Sequence, residues 1–338
     1  MQKFLIIQTA FIGDVVLATA LVEKLGMYFP DAQIDFLLRK GNESLLSNNP
    51  HLNEVLIWNK KENKYGNFFS ILKKIRKNKY GRVINLQRYF STGFLTAFSG
   101  ARQTIGFDKN PLSFLFSKKI KHIISKVAPY KHEVQRNNDL IKEFTDDEFT
   151  KTKLYPSSAD ENAVSNYIGS TFITMSPSSV WFTKQYPIER WIELIDAIPE
   201  TTKIYLLGGK ENIAECDLII SKIKRKQINN LSGQLSFLQS AALMRSAIMN
   251  YVNDSAPLHF ASGVNAPVTA IFCSTIPAFG FTPLSDVSVI AEIDYKLYCR
   301  SCGLHGRKSC PEKHFKCAYD IRLEKLLAPL NRSADAAI

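Results

Sequence analysis

FLIIQTAFIGDVVLATALVEKL, residues 4–25, decides the fold. Phe4 to Gln8 form a short apolar run of β type, and Gly13 sits at a bend. Val15, Ala18, Leu21, Val22 and Leu25 then recur at helical spacing. A strand, a tight turn and a helix packed this closely open a βαβ unit. Outward from it, the turn Phe29-Pro30-Asp31-Ala32 leads to a second strand at 33–38. Further strands are expected at 54–58 and 82–86, with a helix at 68–77 whose face is Ile71, Leu72 and Ile75.

The same alternation restarts in the second half. Strands are expected at 172–175, 203–207, 247–252 and 268–272. Helices are expected at 188–198, 213–223, 236–245 and 258–263. The polar stretch 146–163, with TDDEFTKTK and Pro156-Ser157-Ser158, reads as a linker. The 338 residues are about twice an ordinary domain. The expected fold class is therefore α/β: two Rossmann-like parallel-sheet domains facing a central cleft, with ligands at the carboxyl ends of the strands.

Composition bounds the function classes. Hydrophobic residues make up 45% and charged residues 22%, an ordinary globular balance. No apolar run reaches 18 residues, so a soluble chain is expected. Lys3 with the following apolar residues and Ala18-Thr19-Ala20 imitates a signal peptide, but Gln8, Thr9 and Asp14 interrupt it. A cytoplasmic location with mostly reduced cysteines follows as the expectation.

The net charge is +12, and it is local. From Lys60 to Lys131 there are 17 basic residues against Glu62 and Asp108. That is either a solvated basic face or a surface meant for an anion. The chain has no RNA-binding signature and no recognisable DNA-reading helix, so nucleic acid is not expected as a partner. A non-enzymatic binder of anionic polymer or lipid head groups stays open on charge alone.

Chemistry concentrates at the strand-to-helix turns. Asp14, just after the first strand, is either an N-terminal helix cap or a reactive carboxylate. Neither a dinucleotide fingerprint nor a P-loop is present. Ser176-Pro177-Ser178-Ser179 with Lys184 offers hydroxyls, amides and one cation, the inventory a diphosphate needs. Asn253-Asp254-Ser255-Ala256-Pro257-Leu258-His259 is a second such turn. Cys299, Cys302, Cys310 and Cys317, with His305 and His314 interleaved, could hold a structural zinc, form disulfides or remain buried thiols.

Together these residues resemble glycosyltransferase family 9, the bacterial heptosyltransferases of lipopolysaccharide core assembly. The resemblance rests on Ile12-Gly13-Asp14 through Ala18, Gly100-Ala101-Arg102 with Ile105-Gly106-Phe107-Asp108, and Lys184-Gln185-Tyr186-Pro187 through Trp191. Gly208-Gly209 with Glu211, the 253–259 turn, Pro267-Val268 and the cysteine-rich tail complete it. It implies a GT-B fold, with an acceptor domain over 1–155 and a donor domain over 160–317. A final helix, about 318–338, would pack back on the first domain.

It also implies inverting transfer that needs no metal, from a nucleotide-diphosphate sugar, typically ADP-heptose, to the Kdo/heptose inner core. Another nucleotide sugar or acceptor is the alternative. By motif matching, Asp14 is the base and Lys184 neutralises the leaving diphosphate. Gly13, Ser176, Ser178, Ser179, Gly208, Gly209, Glu211, Asp254, Ser255, Ala256 and His259 would bind the donor. Lys64, Gln87, Arg88 and Arg102 would bind the anionic lipid A–core acceptor. The enzyme would touch the inner face of the inner membrane peripherally. The chain departs from the family pattern at Asn85-Leu86-Gln87-Arg88, at Ala256 and at Phe272-Cys273-Ser274-Thr275.

Overall fold

Among the described residues, twelve strands form two sheets of six, and every pairing is parallel. The computed structural model describes residues 2–335. Contacts divide the chain into two units: residues 1–125 with 131–155, and residues 126–130 with 156–338.

The first sheet comprises β1 (Lys3–Ile7), β2 (Gln33–Arg39), β3 (Leu52–Trp58), β4 (Arg82–Asn85), β5 (Gln103–Phe107) and β6 (Lys118–Ile120), in the order β3-β2-β1-β4-β5-β6. Its strands are nearly continuous apolar runs, as burial on both faces requires. Leu5, Ile7, Leu37, Leu56, Trp58 and Val83 make one side of the core with Ile71 and Ile75 of the helix Lys64–Asn78. That helix starts four residues before the expected 68 because Asn63 caps it, its Oδ1 accepting the Gly66 N–H at 3.3 Å.

The helix Ile12–Tyr28 is buried along most of its length. Asp14 at its third position accepts the Phe11 N–H at 3.2 Å, which supports the first turn and complements the helix dipole. The helix stops where Pro30 disfavours helical backbone at Phe29. Lys24 is fully buried inside the unit. Its ammonium donates to the carbonyls of Asp146 (2.9 Å) and Glu148 (2.7 Å) and pairs with the Asp146 carboxylate, so the buried charge is met on several sides.

The second sheet comprises β7 (Phe172–Ser176), β8 (Lys203–Leu206), β9 (Ile228–Asn230), β10 (Met249–Asn253), β11 (Val268–Ile271) and β12 (Ser288–Ala291). Its order is β12-β11-β10-β7-β8-β9. Counted from its own first strand, it repeats the order of the first sheet. Each sheet thus has one switch point, between β1 and β4 and between β7 and β10, where the connections leave in opposite directions and a crevice opens.

The last described helix, Glu324–Asp335, packs on the second unit. Leu326 and Leu330 join that unit's core, and Tyr251 donates its hydroxyl to the Leu326 carbonyl at 2.9 Å. The family resemblance implies a final helix of about 318–338 packing back on the first domain; residues 336–338 of that span lie outside the described ones. Among the described residues, no helix is long and apolar enough to cross a membrane.

Candidate functional site

In the first unit the carboxyl ends of β1, β3, β4 and β5 carry the polar side chains. Gln87 is buried past β4. Its side-chain amide donates to Gln8 past β1, and its backbone N–H reaches the Asn85 Oδ1 at 2.8 Å. Asn110, past β5, donates to the carbonyls of Gln87 (2.9 Å) and Tyr89 (3.1 Å). The switch point is therefore a fixed polar floor. Arg88 stands exposed beside it, over the Tyr89 ring. Lys64 is exposed at the start of the helix that follows β3. Asp14 is half-buried one turn into its helix.

Arg102 does not join them. It precedes β5, whose first residue pairs with Arg82 at the start of β4, so it sits at the amino end of the sheet. Counting cations along the chain could not separate the two edges.

Two lysines that the motif reading passed over are present at the carboxyl end. Lys60, past β3, donates to the Thr9 hydroxyl at 2.9 Å and lies 4.4 Å from the Trp58 ring centre. Loss of hydration, reinforced by Arg39, lowers its pKa to about 8. Lys109, past β5, is lowered to about 8 chiefly by loss of hydration; Arg88 and Arg136 add to this, while Glu133 and Asp14 oppose it.

In the second unit the turns after β7, β10 and β11 meet at the other switch point. Asn253, at the end of β10, holds both ends of the turn after β7: its Oδ1 accepts the Tyr186 N–H at 3.0 Å and its Nδ2 donates to the Pro177 carbonyl at 2.6 Å. Lys184 then reaches Asp254, Nζ to Oδ2 at 2.8 Å, with both side chains largely buried. Thr275 donates to the same Oδ2 at 2.6 Å.

Ser176 is buried and its hydroxyl has no partner among the described residues. Ser178 is already engaged by Glu215, and Ser179 lends its carbonyl to Gln185 at 2.6 Å. Ser255 precedes the helix Ala256–Gly263 and turns its hydroxyl to the Asn253 carbonyl at 3.4 Å; Ala256 opens the helix and His259 is buried within it.

Past β8, Gly208 is packed so closely that an added Cβ would lie 2.8 Å from Asn212. Gly209 has its N–H bound to the Asn212 Oδ1 at 2.9 Å, and Glu211 beside it is exposed. Backbone, small side chains, lysines and carboxylates thus share the carboxyl end of this sheet.

The cysteine segment departs from the zinc expectation. Cys299, Cys302, Cys310 and Cys317 line a cavity of about 380 Å³ with His314, and all are free thiols. Cys299 Sγ lies 3.9 Å from His314 Nε2, but Cys302 turns its thiol to the Cys299 carbonyl and Cys317 is buried in the unit's core. Among the described residues, no three His, Cys, Asp or Glu side chains converge well enough to hold a metal ion. Burial also raises the Cys299 and Cys302 thiols and pushes Cys317 up to about 12. Spacing alone had suggested ligands; the fold spends these residues on packing.

Known proteins share this arrangement. The family model described as "Glycosyltransferase family 9 (heptosyltransferase)" matches residues 68–308. The chain belongs to glycosyltransferase family 9. It is 27% identical over 279 residues to lipopolysaccharide heptosyltransferase 3 of Escherichia coli, covering 78% of this chain and 82% of that protein. Among solved structures it resembles a glycosyltransferase family 9 protein from Veillonella parvula, with TM-score 0.83, 18% identity and 98% and 97% of the two chains covered. It also resembles the E. coli ADP-heptose lipopolysaccharide heptosyltransferase II, with TM-score 0.80, 19% identity and 98% of each chain covered. The fold is GT-B, and this family 9 chain is a glycosyltransferase.

Proposed function

We propose that this glycosyltransferase moves heptose from ADP-heptose to the Kdo/heptose inner core of lipopolysaccharide, with inversion at the anomeric carbon and no catalytic metal. The observation that carries the reading is the Lys184–Asp254 pair at the second unit's switch point, buried and hydrogen-bonded to Thr275. The names of the similar E. coli proteins, which specify ADP-heptose for one and lipopolysaccharide for both, support the donor and acceptor classes.

In the proposed step, the acceptor hydroxyl oxygen attacks the anomeric carbon as the bond to the leaving diphosphate breaks. Asp14 takes the hydroxyl proton, a contribution of about 10²–10⁴-fold for a positioned base. The diphosphate departs with the bonding electron pair, and its growing charge is met by Lys184 and by amides of the turns around Ser176–Ser179 and Ser255–His259. Gly13, Gly208, Gly209 and Ala256 let backbone approach the donor. Glu211 serves the nucleoside, and Asp254 serves the donor sugar.

On the acceptor side, Lys60, Lys64, Arg88 and Lys109 face a substrate rich in carboxylate and phosphate. The exposed Tyr65, with Lys64 over its ring, and the exposed Phe69 and Phe90 favour peripheral contact with an anionic membrane face on the cytoplasmic side. A thermal-shift panel of nucleotide sugars tests the donor: ADP-heptose should raise the melting temperature as its concentration exceeds the dissociation constant. A shift with UDP- or GDP-sugars and none with ADP-sugars would assign a different donor.

A further inference from the structure

We infer that Thr275 and Arg300 are positioning residues for the Lys184–Asp254 pair, and that Thr275 fixes which oxygen of Asp254 is left for the donor. This rests on the reading that Lys184 and Asp254 face the donor.

Both donors to Asp254 fall on one oxygen. Lys184 Nζ lies 2.8 Å and the Thr275 hydroxyl 2.6 Å from Oδ2, while no hydrogen bond to Oδ1 is found among the described residues. Two donors on a single oxygen stop the carboxylate from rotating, so Oδ1 is presented in one direction as an acceptor. A sugar hydroxyl is the group such an oxygen would recognise. Thr275 is 1% exposed, so its hydroxyl serves the protein rather than solvent.

The segment bearing Thr275 is in turn fixed by one guanidinium. Arg300 donates from Nε to the Cys273 carbonyl at 2.8 Å, and from Nη2 to the carbonyls of Phe272 at 3.0 Å and Thr275 at 2.7 Å. Glu292 lies 2.7 Å from the same Nη2 and balances its charge. Arg300 belongs to the cysteine-rich segment, whose backbone also grips the turn bearing Lys184. The Arg307 N–H donates to the Thr183 hydroxyl at 2.8 Å, and the Thr183 N–H to the Arg307 carbonyl at 3.1 Å. One loop thus fixes both members of the ion pair from behind. That gives the cysteine-rich segment a task that requires no metal.

The test compares Thr275→Val, Thr275→Ser and Arg300→Lys with the wild type and Lys184→Ala. Transfer from ADP-heptose and melting temperature are measured on the full-length chain. Small misplacements of a catalytic group cost up to about 10²-fold. Thr275→Val and Arg300→Lys should therefore lose about 10- to 100-fold in kcat with a smaller change in donor KM. Thr275→Ser, which keeps the hydroxyl, should recover most of that loss. Wild-type kcat in Thr275→Val would overturn the inference. So would equal losses in the valine and serine variants that track a lowered melting temperature, since packing alone would then explain them. If Lys184→Ala fails while Thr275→Val works normally, only the positioning role is wrong. If Lys184→Ala transfers at the wild-type rate, the donor reading falls and takes the inference with it.

Discussion

The two switch points share a strand order and differ in finish. At the second, the polar groups are buried and bonded to one another: Lys184 to Asp254, Thr275 to Asp254, Asn253 to both ends of the turn after β7. At the first, a buried amide floor of Gln8, Gln87 and Asn110 is surrounded by exposed or half-buried cations. A preorganised rim suits a ligand whose charge and shape are constant, such as a nucleoside diphosphate. A rim of separate cations suits a larger anion met mostly by charge, where affinity depends on salt and each contact contributes little.

The largest expected effect comes from Asp14. Asp14→Asn keeps a side chain able to accept the Phe11 N–H but removes the base, so transfer should fall by about 10²–10⁴-fold while donor binding stays near wild type. Steady-state transfer beside a donor titration separates the two. If the variant turns over normally, the carboxylate is only a helix cap.

Lys184→Ala should cost about 10²–10³-fold in kcat, the loss expected when a charge-stabilising group is removed from a leaving group. Its effect should fall on the donor side of the comparison, with acceptor KM unchanged in initial-rate assays.

Gly93→Ala probes the floor of the first rim. An added Cβ there would run into the Asn110 side chain, which holds the Gln87 and Tyr89 carbonyls. Overpacking of this kind costs about 1–3 kcal/mol. A lowered melting temperature and a raised acceptor KM should appear together. A variant as stable and as active as wild type would show that the floor yields freely.

The smallest effect concerns pH. Lys60 has its pKa lowered to about 8 in the fold, so its charge is present below that pH and lost above it. Acceptor KM should rise about two- to fivefold between pH 7 and 9, and Lys60→Met should reduce that rise, with Lys109, also lowered to about 8, carrying the rest. The same shift has a stability counterpart. The folded chain gives up this proton at lower pH than the unfolded chain, so the cost of burying the Lys60 charge is relieved as pH climbs from about 8 to 10.5. A pH-independent acceptor KM would place the acceptor elsewhere.

Much of this was legible in residues 4–25 and their repeats. Apolar runs of four or five residues followed by helical spacing gave β1, β2, β4, β7, β8, β10 and β11, because strands buried on both faces cannot avoid being apolar. The edge strands β6, β9 and β12 escaped: Lys118-Lys119-Ile120 and Ile228-Asn229-Asn230 are too short to show a period, and their pairing comes from neighbours. The turn at 253–259 and Lys184 could be singled out because small and hydroxyl residues cluster after strands. Thr275 could not, since its bond to Asp254 joins positions 21 residues apart. The low pKa of Lys60 depends on Trp58, Thr9 and Arg39 meeting in space. The cysteines mislead for the opposite reason, because their spacing fits a metal site while the fold buries one thiol and turns another away.

The division of labour between the two rims is tested most directly by titrating ADP-heptose into the wild type, Lys184→Ala and Lys60→Met. Donor affinity should fall at least about tenfold in Lys184→Ala, the loss of one charged hydrogen bond, and stay within twofold of wild type in Lys60→Met. Equal affinities for Lys184→Ala and wild type, or a comparable loss in Lys60→Met, would contradict it.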